Sequence, residues 1–321
     1  MPGIFQTLDI ARRAIWANRL GVDVASHNIA NANTPGYSRQ RVNLEAATPI
    51  QTVYGQLGLG VKATDIERMR SQLLDRQFRT AQQGLGKNQI KENTLYQVET
   101  ILQEPSENSI GNLMTEFFSE FSNLGTEPEN TTIRNVLVQK AISLSEAFRS
   151  RQEGLQGVQK SLRSDLKSTV HQINQISREI ADVNRKISAA GNMIGNANDL
   201  KDRRDLLLDR LSEYVNIRYT ENNNGQLTVS TAGQTLVSGN EYRELTAKTA
   251  DDNDRIKVSI KGSNNQNLAI GGGKLGGLLQ IHNQTIFGIE DQLNKLAKNF
   301  IEEVNRLHQS GRGLGSQQSD P

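Results

Sequence analysis

"DVASHNIANANTPGYSRQRV", residues 23–42, stops a helix and turns the chain. Asn28, Asn31 and Asn33 are poor interior helix residues, because their side chains compete for the backbone groups that a helix needs. Pro35 disfavours helical geometry at Thr34. Pro35-Gly36 then supplies the two central residues of a type II turn, proline to preset the first φ and glycine to accept a positive one. Tyr37 to Leu44 follows as an extended segment. The string therefore ends a helix, and what precedes it must be that helix.

Upstream, Ile4, Leu8, Ala11, Ile15, Asn18, Val22, Ala25 and Ile29 recur at alternating spacings of four and three. This is the heptad stripe of a coiled coil, with Asn18 as its one polar member, a residue type that fixes register at some cost in stability. At 1.5 Å per residue, roughly 40 Å of helix is expected. A narrow stripe of this kind is marginal alone in water and requires another helix alongside. Arg12, Arg13, Arg19 and Asp23 fall on the other faces.

Composition agrees with long helices. Of 321 residues, 35% are hydrophobic and only 5% aromatic, thin for one large globular core but sufficient for narrow apolar stripes. The 37 basic and 35 acidic residues leave a net charge of +2, too small to argue for nucleic acid or an anionic membrane surface. With no cysteine, disulfides and thiolate metal sites are excluded. No apolar run approaches the ~18 residues of a membrane span. The first twenty residues contain Asp9, Arg12 and Arg13 and lack the apolar centre of a cleavable signal peptide.

The pattern predicts a mainly α fold: an elongated bundle of long heptad helices, a small β-hairpin insertion and an N-terminal coiled-coil helix. Residues 1–35 form that helix and 36–64 an extended connector. Residues 65–321 form a helical rod domain with a β element at 215–270. Within it, a helix is expected from about Asp65 to Gln103, weakened at Gly84 and Gly86 and broken at Pro105. Another runs from Ser109 to Leu124, with Leu113, Phe117, Phe118 and Phe121 as its apolar face. A third runs from Asn130 to Ala189, with Leu155, Val158, Leu162, Leu166, Thr169, Ile173, Ile176, Ile180, Val183 and Ile187 as a buried stripe. After a turn at 191–199, Asn198 or Asp199 is placed to cap a helix that ends near Tyr214. The period then changes to two. Asn224-Gly225 marks a hairpin, and residues 255–260 read as a further strand. A last helix spans Lys274 to His308, with Leu278, Ile281, Ile289, Leu293, Leu296, Phe300, Val304 and Leu307 inward and glycines 311, 313 and 315 ending it.

The chemistry of the chain points away from catalysis. The histidines at 27, 171, 282 and 308 share no metal-ligand spacing. "GGGK" at 271–274 fails as a phosphate loop, because Leu268 stands where the first glycine is needed and Leu275 follows the lysine. Asp202, Asp205 and Asp209 alternate with Arg203, Arg204 and Arg210, and read as a charge-laced, solvated helix face. No carboxylate pair can be singled out as acid and base. The chain is read as non-enzymatic, with no catalytic, cofactor-binding or metal residues.

The opening string as a whole resembles the N-terminal signature of the flagellar axial proteins, the rod, hook and hook-associated families. "GLGVKATDIERMRSQLLDRQFR" at 58–79 resembles their second block. "NDLKDRRDLLLDRLSEYVNI" at 198–217, "GGKLGGLLQIHN" at 272–283 and "FIEEVNRLHQSGRGLGS" at 300–316 resemble the hook-associated protein 1 family. The resemblance implies an extracellular structural subunit of the bacterial flagellum at the hook–filament junction, exported unfolded by the flagellar type III apparatus. It implies as partners other copies of the chain in a helical ring of about eleven subunits, the hook protein, the second hook-associated junction protein and an export chaperone, with neither nucleic acid nor membrane. Ile4, Leu8, Ala11, Ile15, Asn18, Val22, Ala25 and Ile29 become the assembly stripe, and Asn33, Thr34, Pro35, Gly36 and Tyr37 the turn that ends and aims the helix. Family members also carry a second terminal helix and an outer β-rich domain. Neither is visible in these residues, so the chain reads as an N-terminal portion or a natural short form whose stripe lacks its partner. The alternatives are a rod or hook subunit and, further off, a peptidoglycan hydrolase bearing the axial motif; a basic coiled coil on nucleic acid is disfavoured by the balanced charge.

Overall fold

The computed structural model describes residues 4–53, 55–103, 106–190, 197–222, 225–249, 254–263 and 266–310. Helix α1 spans Ile4–Ala30. Strands β1 (Gln40–Ala46) and β4 (Val61–Arg68) pair antiparallel, and between them β2 (Ile50–Thr52) and β3 (Gly55–Leu57) form a second hairpin. Helices α2 (Gln72–Leu102), α3 (Ile110–Thr126), α4 (Thr131–Ala190) and α5 (Asn198–Tyr214) follow. Strands β5 (Arg218–Glu221), β6 (Leu227–Thr231), β7 (Gln234–Ser238) and β8 (Glu241–Tyr242) make an antiparallel meander, and β9 (Leu245–Thr249) pairs with β10 (Ile256–Ile260). Helix α6 (Gly273–Gln280), a π-helical turn (Ile281–Ile286) and α7 (Phe287–Ser310) complete the described chain. The fold is mainly α, as the periodicities require.

Several elements differ from their sequence reading. The extended stretch after residue 36 closes into two hairpins, and the helix expected from Asp65 begins at Gln72, because residues 61–68 pair with β1. Gly84 and Gly86 do not interrupt α2, whose backbone bonds tolerate single glycines at a cost of ~1 kcal/mol each. Neither Asn198 nor Asp199 caps α5. Ala197 occupies the cap position with a left-handed φ of 63° and no side-chain bond, which leaves both polar side chains free for other work. The last helix is one helical run with a π turn in its middle. Asn224, Pro105, most of the 191–199 turn and the glycines at 311, 313 and 315 lie outside the described residues.

The chain divides into two compact units. The first comprises residues 1–85, 171–246 and 260–269. Its core joins Ile173, Ile180, Val183 and Ile187 of α4 to Leu207, Leu208 and Leu211 of α5 and to Leu227, Val229, Leu236 and Val237 of the meander, all buried. Asn184, wholly buried in α4, donates to the carbonyls of Leu227 and Gly239 and accepts from Arg204. Asn174 donates to the Leu245 carbonyl and accepts from its N–H.

The second unit comprises residues 86–170, 247–259 and 270–321. Leu155, Val158, Leu162 and Leu166 of α4, Leu275 and Leu278 of α6 and Ile281 and Ile286 of the π turn are buried in it. Phe117 of α3 packs edge-on against Phe300 of α7, ring centroids 5.3 Å apart. The amide of Asn283 donates to the carbonyl of Ile256 and accepts from its N–H. Helices α3 and α7 are less covered than their apolar faces imply: Leu296 and Leu307 are 42% and 40% exposed, and Phe118 and Phe121 are 45% and 38% exposed. Gly277 lets α6 approach α2, since a Cβ there would lie 2.5 Å from the Ile90 side chain and 2.8 Å from the Lys87 carbonyl.

Gly277→Ala is expected to destabilise the second unit by about 1–3 kcal/mol through overpacking. Gly84→Ala, with nothing within 4 Å of its added methyl, is expected to stabilise α2 by about 0.5–1 kcal/mol. Urea unfolding of the two variants beside the parent chain measures both.

Candidate functional site: the axial stripe and its corner

Helix α1 has two apolar stripes one residue apart. Ile10, Ala14, Ala17, Gly21, Val24 and Asn28 keep the same four-three spacing as the stripe read from sequence, and this second set faces β1 and β4. Ala17 and Val24 are buried, and Ile10 lies against Gly60, where a Cβ would meet the Ile10 side chain at 3.0 Å. The first set, Ile4, Leu8, Ala11, Ile15, Asn18, Val22, Ala25 and Ile29, is exposed throughout. Ile4 and Ile29 at its ends are 79% and 78% exposed, and Ile15 in the middle is 69% exposed. The first stripe thus stays open because the second occupies the hairpin. Asn18 is exposed in this chain, so any register role requires a partner helix.

At the end of α1 the chain turns through residues 31–39. The Asn31 N–H donates to the His27 carbonyl, the Thr34 N–H to that of Asn31, and the Tyr37 N–H to that of Thr34. The last bond spans Pro35-Gly36, and Gly36 has a φ of +82°, the geometry of a type II turn. A side chain at Gly36 is strained by φ and crowded by Leu206 of α5, which a Cβ would meet at 3.1 Å. Asn33, Thr34 and Pro35 are exposed; Gly36 and Tyr37 are half-buried.

Asn28 closes the corner. Its amide nitrogen donates to the Gln40 carbonyl at 2.9 Å, and its oxygen accepts from the Gln40 N–H and from the Tyr37 hydroxyl, both at 2.8 Å. Burial, aided by the charges of Asp199 and Asp202, pushes the Tyr37 pKa above its ordinary value and keeps that hydroxyl a donor. His27 stacks edge-on with Tyr37, centroids 5.5 Å apart.

The corner rests on α5, and here the acidic repeat is an inward array rather than a solvated face. Asp202 is buried; it accepts from the Ser38 N–H at 2.9 Å and from Arg68 at 2.8 Å. Asp205 accepts from Arg68 at 2.8 Å and from Arg79 at 3.2 Å, and Asp209 accepts from Arg79 at 2.7 Å. Arg70 pairs with Asp75 at 2.7 Å. Arg79, 2% exposed, also lies 4.6 Å from the Tyr219 ring centre. Arg204, expected on the solvated face, is buried and donates to Glu221 and to the Gly225 carbonyl; Arg203 and Arg210 are exposed. Burial would raise the Asp205 pKa, but the bond from Arg68 and the charges of Arg68, Arg70 and Arg79 outweigh it and hold the carboxyl below its ordinary value. Burial likewise opposes the charge on Arg79, and the hydrogen bond and charge of Asp209 more than restore it.

Sequence reasoning placed the turn but missed three things: the docked stripe of α1, Asn28 with Gln40, and the pairing of residues 68–79 with 202–209. The docked stripe was legible, since its spacing repeats the first stripe one residue earlier. The other two join segments more than ten and more than a hundred residues apart and leave no periodic trace. Of the histidines, His27, His171 and His308 are exposed, whereas His282 is buried; desolvation lowers its pKa, and Arg163 donates to its Nε2 at 3.3 Å. Among the described residues no cluster of metal-ligating side chains occurs, and no helix is long and apolar enough to cross a membrane.

Comparison with known proteins gives the following. Residues 95–320 match the family described as the flagellar hook-associated protein FlgK helical domain, and residues 8–37 match the flagella basal body rod protein family. Flagellar hook-associated protein 1 of Bacillus subtilis is 29% identical over 243 residues, 74% of this chain and 48% of the relative. Its counterpart in Salmonella typhimurium is 28% identical over 310 residues, 94% of this chain and 56% of the relative. The solved flagellar hook junction protein FlgK of Burkholderia pseudomallei superposes with a TM-score of 0.62 at 26% identity, covering 73% of this chain and 44% of that one. The chain therefore spans about half the length of the relatives it matches.

Arg79→Leu is expected to destabilise the chain by about 1–3 kcal/mol, because Asp209 loses its 2.7 Å bond and keeps Arg70 only at 3.6 Å, while Asp205 keeps Arg68; thermal melting measures it. The depressed Asp205 carboxyl contributes stability that is present above its ordinary value of 3.8 and is lost as pH falls through the lower folded-state value. Acid titration followed by hydrogen exchange should accordingly show α5 and β4 losing protection below about pH 4, and Asp205→Asn should flatten that acid limb.

Proposed function

Since the chain belongs to the family of the flagellar hook-associated protein FlgK, we propose that it is a structural subunit joining hook to filament in the bacterial flagellum. The exposed stripe of α1 is the surface through which subunits pack about the axis, and the corner from Asn33 to Tyr37 turns the chain from that helix into the body. The observation that carries this reading is the pair of stripes on α1: one is satisfied by the chain's own hairpin, while the other presents Ile4, Leu8, Ile15, Val22 and Ile29 to solvent. A set of large aliphatics aligned on one helix face is a coiled-coil seam awaiting a helix.

The partners that fit this role are further copies of the chain, in a helical ring of the type adopted by the axial proteins, the hook protein on one side and the second hook-associated protein on the other. Export in an unfolded state by the flagellar type III apparatus, with a chaperone, suits a subunit that must reach the distal end before its seam is buried. The role is non-catalytic. A rod or hook subunit would share α1 and the corner, because the rod-family match is confined to residues 8–37. The match of residues 95–320 to the hook-associated helical domain favours the junction.

Ala11→Asp and Ile15→Asp are expected to leave melting within about 0.5 kcal/mol of the parent, as exposed substitutions do, and to abolish filament attachment in a strain lacking the parent gene. Motility and electron microscopy of the cell surface read the outcome; filaments of normal number on either variant would remove the stripe from assembly.

A further inference from the structure

The corner contains one residue read from both sides. Gln40 is 8% exposed. Its backbone N–H and C=O are both taken by the Asn28 side chain of α1, at 2.8 and 2.9 Å. Its side-chain amide is taken by the first turn of α5: Nε2 donates to the Asp199 carboxylate at 3.1 Å, and Oε1 accepts from Asn198 Nδ2 at 3.4 Å. The second nitrogen interaction of Asn198 is a 2.7 Å bond to the Ile66 carbonyl of β4. The polarity of the set is forced. An ionised carboxylate only accepts, so the glutamine nitrogen must face Asp199 and its oxygen must face Asn198, whose own nitrogen is committed to two acceptors.

We propose that Gln40 is the positioning residue that fixes the direction of the terminal helix relative to α5, acting as a joint whose backbone grips α1 and whose side chain grips α5. Of the exposed residues of the turn, Thr34 closes the helix through its N–H to the Asn31 carbonyl, and neither it nor Asn33 carries this role. Three features support the assignment. The four bonds come from two different elements and converge on one residue. Glutamine alone presents a donor and an acceptor at that reach; glutamate would set a second carboxylate against Asp199, and leucine would leave Asn198 and Asp199 without their bonds. The cap position of α5 is filled without a side-chain bond, so Asn198 and Asp199 are available to hold Gln40, Asp199 Oδ1 lying also 3.5 Å from His27 Nε2. The consequence for the filament rests on the assembly reading above, whereas the joint itself can be measured on the isolated chain.

The chain has no cysteine, so two introduced at the exposed positions Arg13 and Arg210 take spin labels cleanly, and double electron–electron resonance reads the distance between α1 and α5. The labelled parent is expected to give one narrow distribution. Gln40→Glu should at least double its width. Adding Asp199→Asn to Gln40→Glu reverses the donor and acceptor roles and should return the width to that of the parent, a rescue that a merely space-filling residue would not show. Asn33→Ala should leave the width unchanged. An unchanged width in Gln40→Glu, a width that stays broad in the double variant, or a broadening in Asn33→Ala equal to that of Gln40→Glu overturns the proposal. Should Gln40→Glu lose its cooperative melt, Asn28→Asp takes its place: it sets a carboxylate oxygen against the Gln40 carbonyl where the amide donated, while keeping the acceptor for the Gln40 N–H; the same doubling is expected, and an unchanged width again overturns the joint. Filament attachment is scored on the same variants. Attachment lost in Gln40→Glu and regained in the pair supports the joint acting in assembly, whereas a broadened distribution with normal filaments leaves the joint standing and counts against the assembly reading.

Discussion

Burying a guanidinium is unfavourable unless carboxylates meet it, and the first unit is organised around that constraint. Arg79 is 2% exposed and Arg68 only 16%, while Asp202 and Asp205 opposite them are 6% and 13% exposed. Each removal from water costs several kcal/mol, which only near-ideal geometry and further hydrogen bonds repay. That geometry is met only when β4, the start of α2 and α5 occupy one arrangement. The array is therefore better understood as a specifier of position than as a source of stability. The two sequence blocks that resemble the axial families at 58–79 and 198–217 are the two halves of this array. Asp202 then extends it to the corner by accepting the Ser38 N–H.

A second device recurs in the joints between helices and strands. An asparagine side chain carries a donor and an acceptor at nearly the spacing of a peptide group, so it can take the place of one in a ladder. Asn28 does this for Gln40, Asn174 for Leu245 and Asn283 for Ile256, each bonding both the N–H and the C=O of its partner. Each sits on a helical segment facing the end of an extended one. The asparagine-rich opening string is thus more than a helix terminator: one of its asparagines holds the chain after the turn against the helix before it.

The helices and the turn were legible in the sequence because their signals are local. The α4 stripe from Leu155 to Ile187 is buried at every position, as its period demands, and Pro35-Gly36 gives the turn that its chemistry prescribes. The second half of β4, residues 65–68, was hidden because "DIER" runs into a helical segment, so that pairing with β1, a tertiary fact, decided the outcome. The acidic repeat of α5 was misread for the same kind of reason. Three aspartates at helical spacing look solvated until three arginines from elsewhere in the chain are found opposite them. Leu296 and Leu307 show the converse, since a correct period fixes which residues share a face but not whether anything covers it.

The two stripes of α1 bear on the assembly proposed above. Ordering a helix from coil is unfavourable in backbone entropy, so a seam that had to order its own helix would offset part of its burial against that ordering. The docked stripe orders the helix beforehand. Ile10, Ala14, Ala17, Gly21 and Val24 on the hairpin, with Asn28 locking the last turn, set the helix in place before any partner arrives. Among the small residues of that stripe Ala17 is buried, whereas a Cβ at Gly21 would meet nothing within 4 Å. The lone stripe that is marginal in water by its sequence thus belongs to a helix docked on its own hairpin, and in the assembly proposed above its open face is left for another subunit.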